Sequence, residues 1–140
     1  MQVLVAVRGS LADGDLVDEL AKAEKVSVEI ETVADRVLAR FESDDAPDVL
    51  LMDFSFPGFA GLSGIKKVLD FIADKPLAVL LDHASTVDTE NMFSTGAKGV
   101  LPMRMTPDAF KAAMALLHAG VTFAVVEQKH VSERLKSIAT

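Results

Sequence analysis

The sequence predicts a doubly wound α/β domain, and three observations carry that prediction. Short apolar runs of strand length recur along the 140 residues. Between them lie segments whose apolar residues repeat with a helical period. Two of the runs, Val3 to Val7 and Val49 to Met52, show no polar alternation, which marks parallel strands covered on both faces. Alternating strands and helices joined by right-handed crossovers then place helices on both sides of one parallel sheet.

The first strand is read at Val3 to Val7 and, being apolar throughout, is expected at the centre of the sheet. Ser10 with Asp13 reads as a helix start. Leu16, Val17 and Leu20 form that helix's inward stripe, and Asp13, Asp15, Asp18 and Glu19 suit its first turn and solvated face. The second strand, Val26 to Val33, does alternate: Val26, Val28, Ile30 and Thr32 are separated by Ser27, Glu29 and Glu31. A strand wet on one face belongs at a sheet edge. Ala34, Val37, Leu38 and Phe41 give the next helical stripe, and Val49 to Asp53 the third strand, again central.

Leu62, Ile65, Leu69 and Ile72 mark another helix, followed by a strand at Leu77 to Leu81. Thr86 to Thr95 offers only Val87, Met92 and Phe93 to a core among Thr, Ser and Asn, so it is expected to be a marginal helix. The fifth strand is Gly99 to Leu101. Thr106 and Pro107 supply an N-cap and a proline at the first helical position, ahead of the stripe Phe110, Ala113, Met114 and Leu117, and Gly120 ends that helix. Residues 1–125 therefore read as one domain and 126–140 as a short C-terminal tail. In the tail Val131, Leu135 and Ile138 fall at helical spacing, which suits either a short amphipathic helix used for packing or pairing, or a frayed end.

Half of the residues are hydrophobic, enough for a real core. Lys and Arg number 14 against 21 Asp and Glu, a formal net charge of −7. That balance opposes contact with a phosphate backbone, so no direct nucleic-acid binding is expected. With no cysteine there is no disulfide framework, thiolate metal site or cysteine nucleophile. The apolar start lacks a basic leader and soon meets Arg8, and no run approaches the roughly 18 residues of a membrane span. A cytoplasmic domain with no membrane attachment is the expectation. His83, His118 and His130 lack metal-binding spacing.

In such sheets ligands and chemistry gather beyond the carboxyl ends of the strands. Those ends carry Val7 and Arg8, Asp53, Leu81 and Asp82, and Pro102, Met103 and Arg104. Asp53 closes an apolar strand and opens the loop Phe54-Ser55-Phe56-Pro57-Gly58-Phe59. A carboxylate there is either a nucleophile toward a phosphoryl group or a cap on its own turn.

The segment from Pro47 to Gly61, Pro-Asp-Val-Leu-Leu-Met-Asp-Phe-Ser-Phe-Pro-Gly-Phe-Ala-Gly, resembles the phosphoacceptor segment of response-regulator receiver domains of two-component signalling. Pro57, Gly58 and Gly61 match the usual turn, whereas Phe56 and Ala60 depart from it. Pro76 to Leu80 looks like the fourth strand of that family, and Gly96 to Pro102 like the entry into its fifth. The ending at Ala119-Gly120, with Phe123 soon after, gives the flavour of receivers of LuxR-type regulators. The resemblance covers residues 2 to 125. It implies a CheY-like fold: a five-stranded parallel sheet of order 2-1-3-4-5 with helices on both faces.

Carried over residue by residue, the resemblance implies an altered site. A working receiver holds Mg²⁺ with two acidic residues after its first strand, where this chain has Val7 and Arg8. The family's Ser or Thr after the fourth strand aligns with Leu81, its Lys after the fifth with Met103, and its aromatic switch residue with Val100. Arg104, next in sequence to Met103, would point to the other side. Asp53 alone remains. Mg²⁺ needs hard oxygen ligands, and phosphoryl transfer depends on neutralising the charge of the equatorial oxygens.

The resulting expectation is a pseudo-receiver with no cofactor and no catalytic residue, in which Arg8 pairs with Asp53 and takes the cation's place. Asp82 competes for Arg8, and an outward Arg8 with a self-capping Asp53 is the opposing reading. Output is expected through a protein partner or a second copy, across the helix–strand–helix face of residues 86–119. Val100, Phe110 and Met114 are candidate interface residues, together with Phe56 and Phe59 near the site, which form either a docking patch over Asp53 or part of the core. The rival classes are a conventional receiver phosphorylated on Asp53 with Mg²⁺, and a flavodoxin-like ligand binder, for which no phosphate loop is present.

Overall fold

The computed structural model describes residues 1–9, 18, 20–72, 74–81 and 86–125, with the side chains of 86–88 left aside. Readings that fall on residues 10–17, on Asp82 and His83, or on the tail 126–140 lie outside the described residues. The strands are β1 (Gln2–Ala6), β2 (Ser27–Glu31), β3 (Val49–Asp53), β4 (Leu77–Leu81), β5 (Gly99–Pro102) and β6 (Phe123–Ala124). Between them lie the helices α1 (Ala34–Glu42), α2 (Gly61–Ile72), α3 (Thr86–Thr95) and α4 (Pro107–His118).

All six strands pair in parallel, in the order β2-β1-β3-β4-β5-β6. The apolar runs are explained by two cores, one on each face. In β3, Leu50 and Met52 enter the core shared with Val37 of α1, Ile65 and Val68 of α2 and Met92 of α3. Val49 and Leu51 enter the other, with Phe110, Met114 and Leu117 of α4 and with Leu20. A strand buried on both sides has no polar position to alternate with. β2 is an edge strand, as its alternation predicts, with Val28 and Ile30 packed on the second core.

The helical stretch at Thr86–Thr95 does form, anchored by the fully buried Met92. Helix α4 starts as its sequence predicts: the Thr106 side chain accepts a hydrogen bond from the Ala109 N–H at 3.2 Å, and Pro107 occupies the first turn. Thr106→Ala is therefore expected to cost about 1 kcal/mol, read as a shift in the urea midpoint with unchanged slope.

The structure differs from a five-stranded reading by the short β6. Gly120, at φ 84°, takes the left-handed conformation that ends α4, with the Val121 N–H bonded to Leu116 O at 3.0 Å. The chain turns back, and the N–H groups of Phe123 and Val125 donate to Lys98 O and Val100 O at 2.9 and 3.0 Å. Phe123 and Val125 pack against the second core, which gives so short a strand its footing. Among the described residues no helix is long and apolar enough to cross a membrane.

Candidate functional site

Strand order reverses between β1 and β3, since β2 lies to one side of β1 and β4 beyond β3. The register pairs Ala6 with Met52, so the residues following β1 emerge beside Asp53. This is where a doubly wound sheet opens a crevice.

Asp53 is the only buried charged residue described, 1% exposed. Three donors hold its carboxylate. Arg8 Nε donates to Oδ2 at 2.7 Å and the Arg8 backbone N–H reaches the same oxygen at 3.4 Å, while Ser55 N–H donates to Oδ1 at 3.0 Å. The Arg8 side chain is 33% exposed, so the pair spans from the interior to the surface. The two readings of Asp53 thus coexist: it pairs with Arg8 and also caps its own loop.

The loop is anchored by its backbone. Phe54 N–H donates to Leu80 O, Phe56 N–H to Asp53 O, Phe59 N–H to Phe56 O and Gly61 N–H to Phe54 O, all at 2.9 to 3.0 Å. Phe56 and Phe59 stack with ring centroids 6.2 Å apart. Gly64 on α2 lets this loop lie directly on the helix, because a Cβ there would sit 2.0 Å from the carbonyl carbon and oxygen of Phe59.

The other rim residues are apolar or turned away. Val7 is fully buried, and its N–H donates to Glu31 O. Leu81 is 5% exposed and its carbonyl accepts from Met103 N–H at 3.1 Å. Met103 packs on the second core, and Arg104 is exposed. Asp82, offered as a rival partner for Arg8, lies outside the described residues.

The five side chains read as an interface need correction. Val100, Phe110, Met114, Phe56 and Phe59 are all 4% exposed or less and belong to the two cores. Helical and strand periodicity put them inward, and the loop aromatics fold under rather than out. The exposed large apolar residues near that face are Leu116 and Val121. Sequence reasoning also missed Gly64, for which a lone glycine within a helical stripe was the only signal.

Among the described residues, those around Asp53 do not suit a divalent ion. Val7 offers no ligand atom, the guanidinium already lies on Oδ2, and Oδ1 is engaged by a backbone N–H. Among the described residues no group of three His, Asp or Glu side chains could hold a metal.

Parallel topology, an acid at the end of β3, and the turn that follows it make this fold similar to that of the receiver domains of LuxR-family response regulators. No family model matches the chain. Over 76 residues, 54% of its length, it is 30% identical to the response regulator UvrY of Escherichia coli strain K12. The chain spans about a third, 35%, of the length of the curated relatives it matches. Among solved structures, the non-phosphorylated receiver domain of the stress response regulator RcsB from Escherichia coli superposes with a TM-score of 0.74 at 20% identity, covering 90% of this chain and 98% of that one. A LuxR-family two-component response regulator from an Aurantimonas species gives 0.73 at 17% identity, covering 96% and 97%.

Proposed function

We propose that this chain is a pseudo-receiver: a response-regulator domain that acts in bacterial signal transduction or transcription control through protein contacts, without Mg²⁺-dependent phosphorylation of Asp53. The ion pair at 2.7 Å between Arg8 and the 1%-exposed Asp53 carries this reading. An aspartyl nucleophile needs a free lone pair facing its donor, and a cation that neutralises the phosphoryl oxygens as they develop charge. Here the carboxylate is engaged at both oxygens by its own chain. Losing one such electrostatic element costs on the order of 10²–10³ in rate in other enzymes. Leu81 and Met103 stand where the family has a hydroxyl and an ammonium, so the losses accumulate.

The partner is a protein or a second copy, engaged through the face of residues 86–119, where Leu116 and the neighbouring Val121 are exposed apolar side chains. The net charge of −7 argues against direct contact with nucleic acid by this chain. Incubation with acetyl phosphate and Mg²⁺, followed by intact mass measurement, tests the chemistry. No phosphoryl adduct is expected. A stable adduct that disappears in Asp53→Asn would establish the conventional receiver instead.

A further inference from the structure

We propose that the outer edge of β2 is a docking site for a basic, extended segment of a partner protein, which adds to the sheet as a further strand beside an acidic groove between β2 and α1. The site lies at the opposite end of the sheet from β6, and it does not depend on the state of Asp53.

The β1–β2 ladder leaves specific backbone groups over. Ser27 N–H donates to Met1 O and Val7 N–H to Glu31 O, at 2.8 and 3.1 Å. In a parallel pair every second residue turns both its N–H and its C=O toward the neighbouring strand, so Ser27, Glu29 and Glu31 address β1. Val28 and Ile30 turn theirs the other way, and among the described residues no strand lies beyond β2 to receive them. These are the groups with which an added strand pairs.

The side chains of β2 alternate with the same period. Val28 and Ile30 pack on the second core. Glu29 and Glu31 stand on the α1 side, where with Arg36 and Arg40 of α1 and Asp45 beyond it they line a groove of about 500 Å³. Arg40 is already engaged: its Nε donates to Glu29 Oε2 at 2.8 Å and its Nη1 to Asp45 O at 3.0 Å. Glu31 is fixed as well, since its Oε1 accepts the Thr32 and Val33 N–H groups at 2.9 and 3.0 Å. Basic side chains of an added strand, projecting to this side, would meet acids already held along the edge.

Charge selects the occupant. Residues 24–48 hold eight acidic side chains against three basic ones, so five of the chain's seven net negative charges gather around this edge. A second copy is disfavoured, because pairing two β2 edges would set Glu29 and Glu31 against the same acids. A basic segment gains at those positions, and opposite charge speeds its encounter.

The test measures binding of a fluorescent heptapeptide of alternating lysine and valine to the full chain by anisotropy, with amide hydrogen exchange followed by NMR. Binding is expected to slow exchange at Val28 and Ile30, while Glu29, already paired with β1, serves as the reference. A peptide with glutamate in place of lysine should not bind. Methylation of every backbone nitrogen keeps the lysine charges but removes the strand's donors, and should weaken binding about tenfold or more. Glu29→Gln with Glu31→Gln should weaken it about fivefold, whereas Glu90→Gln with Asp108→Asn, which removes the same charge elsewhere, should change nothing. Should the first pair of substitutions fail to fold, the glutamate peptide decides on charge. Equal binding of the methylated peptide would reduce the site to plain charge attraction. Slow exchange at Val28 and Ile30 without peptide, growing with protein concentration, would make the occupant a second copy. Either result, or no binding to folded wild type, overturns the inference.

Discussion

Gly64→Ala is expected to destabilise the protein by roughly 3 kcal/mol or more, the upper end of overpacking costs. The added methyl would stand 2.0 Å from the Phe59 carbonyl carbon and oxygen and 2.6 Å from its Cα. Those are backbone atoms, so no side-chain rotation relieves the clash. Phe59 cannot easily retreat, because it is 4% exposed, stacked on Phe56 and hydrogen-bonded to the Phe56 carbonyl. The segment from Asp53 to Gly61 would have to lift as a unit, taking with it the bond from Ser55 N–H to Asp53. Alanine's higher helix propensity returns only about 1 kcal/mol. Gly9→Ala is the control: a Cβ there meets nothing within 4 Å, and its effect should stay within about 0.5 kcal/mol. Urea unfolding followed by circular dichroism compares them, and equal midpoints for the two variants would refute the packing argument.

The same contrast shows what a single sequence makes legible. The order of strands and helices follows from apolar period, because burial on one face or two writes directly into residue spacing. Val49 to Met52 and Val28 with Ile30 are opposite cases of that rule, and both occupy the places it assigns. The pairing of Arg8 with Asp53 was reachable for a related reason: parallel strands bring their carboxyl ends to one rim. The interface assignment failed for two reasons: Phe110 and Met114 lie on the stripe that helical period turns inward, and Phe56 and Phe59 sit in a loop that has no period to report whether they are covered. Phe56 and Phe59 are covered because Gly64 gives the loop room to fold down, and a contact between residues on different elements leaves no periodic trace. β6 was missed because two residues are too few to show a pattern, and its stability comes from the Gly120 turn and the β5 edge.

Arg8→Met should destabilise the chain more than Asp53→Asn, although both break one ion pair. The first leaves a 1%-exposed carboxylate with only backbone donors from Arg8 and Ser55. Breaking a fully buried pair in this way costs about 3–5 kcal/mol. Since Arg8 is one-third exposed, water shares in the compensation, and about 2–4 kcal/mol is expected. The second removes the buried charge and leaves the guanidinium, which already reaches solvent. The new amide oxygen still accepts a hydrogen bond, so about 1–2 kcal/mol is expected. The double variant should be more stable than the sum of the single losses allows, with a coupling of about 1–3 kcal/mol. Urea denaturation of all four proteins completes the cycle; equal single effects, or additivity, would mean that the two charges are not acting as a pair. The asymmetry also bears on cellular experiments. In a conventional receiver, loss of output in Asp53→Asn signals loss of phosphorylation, but here the same substitution removes a structural counter-ion that ties β1 to the loop after β3. Output lost in Asp53→Asn and equally in Arg8→Met would follow stability rather than phosphate. Output lost only in Asp53→Asn, from a variant that is the more stable of the two, would return Asp53 to a chemical role.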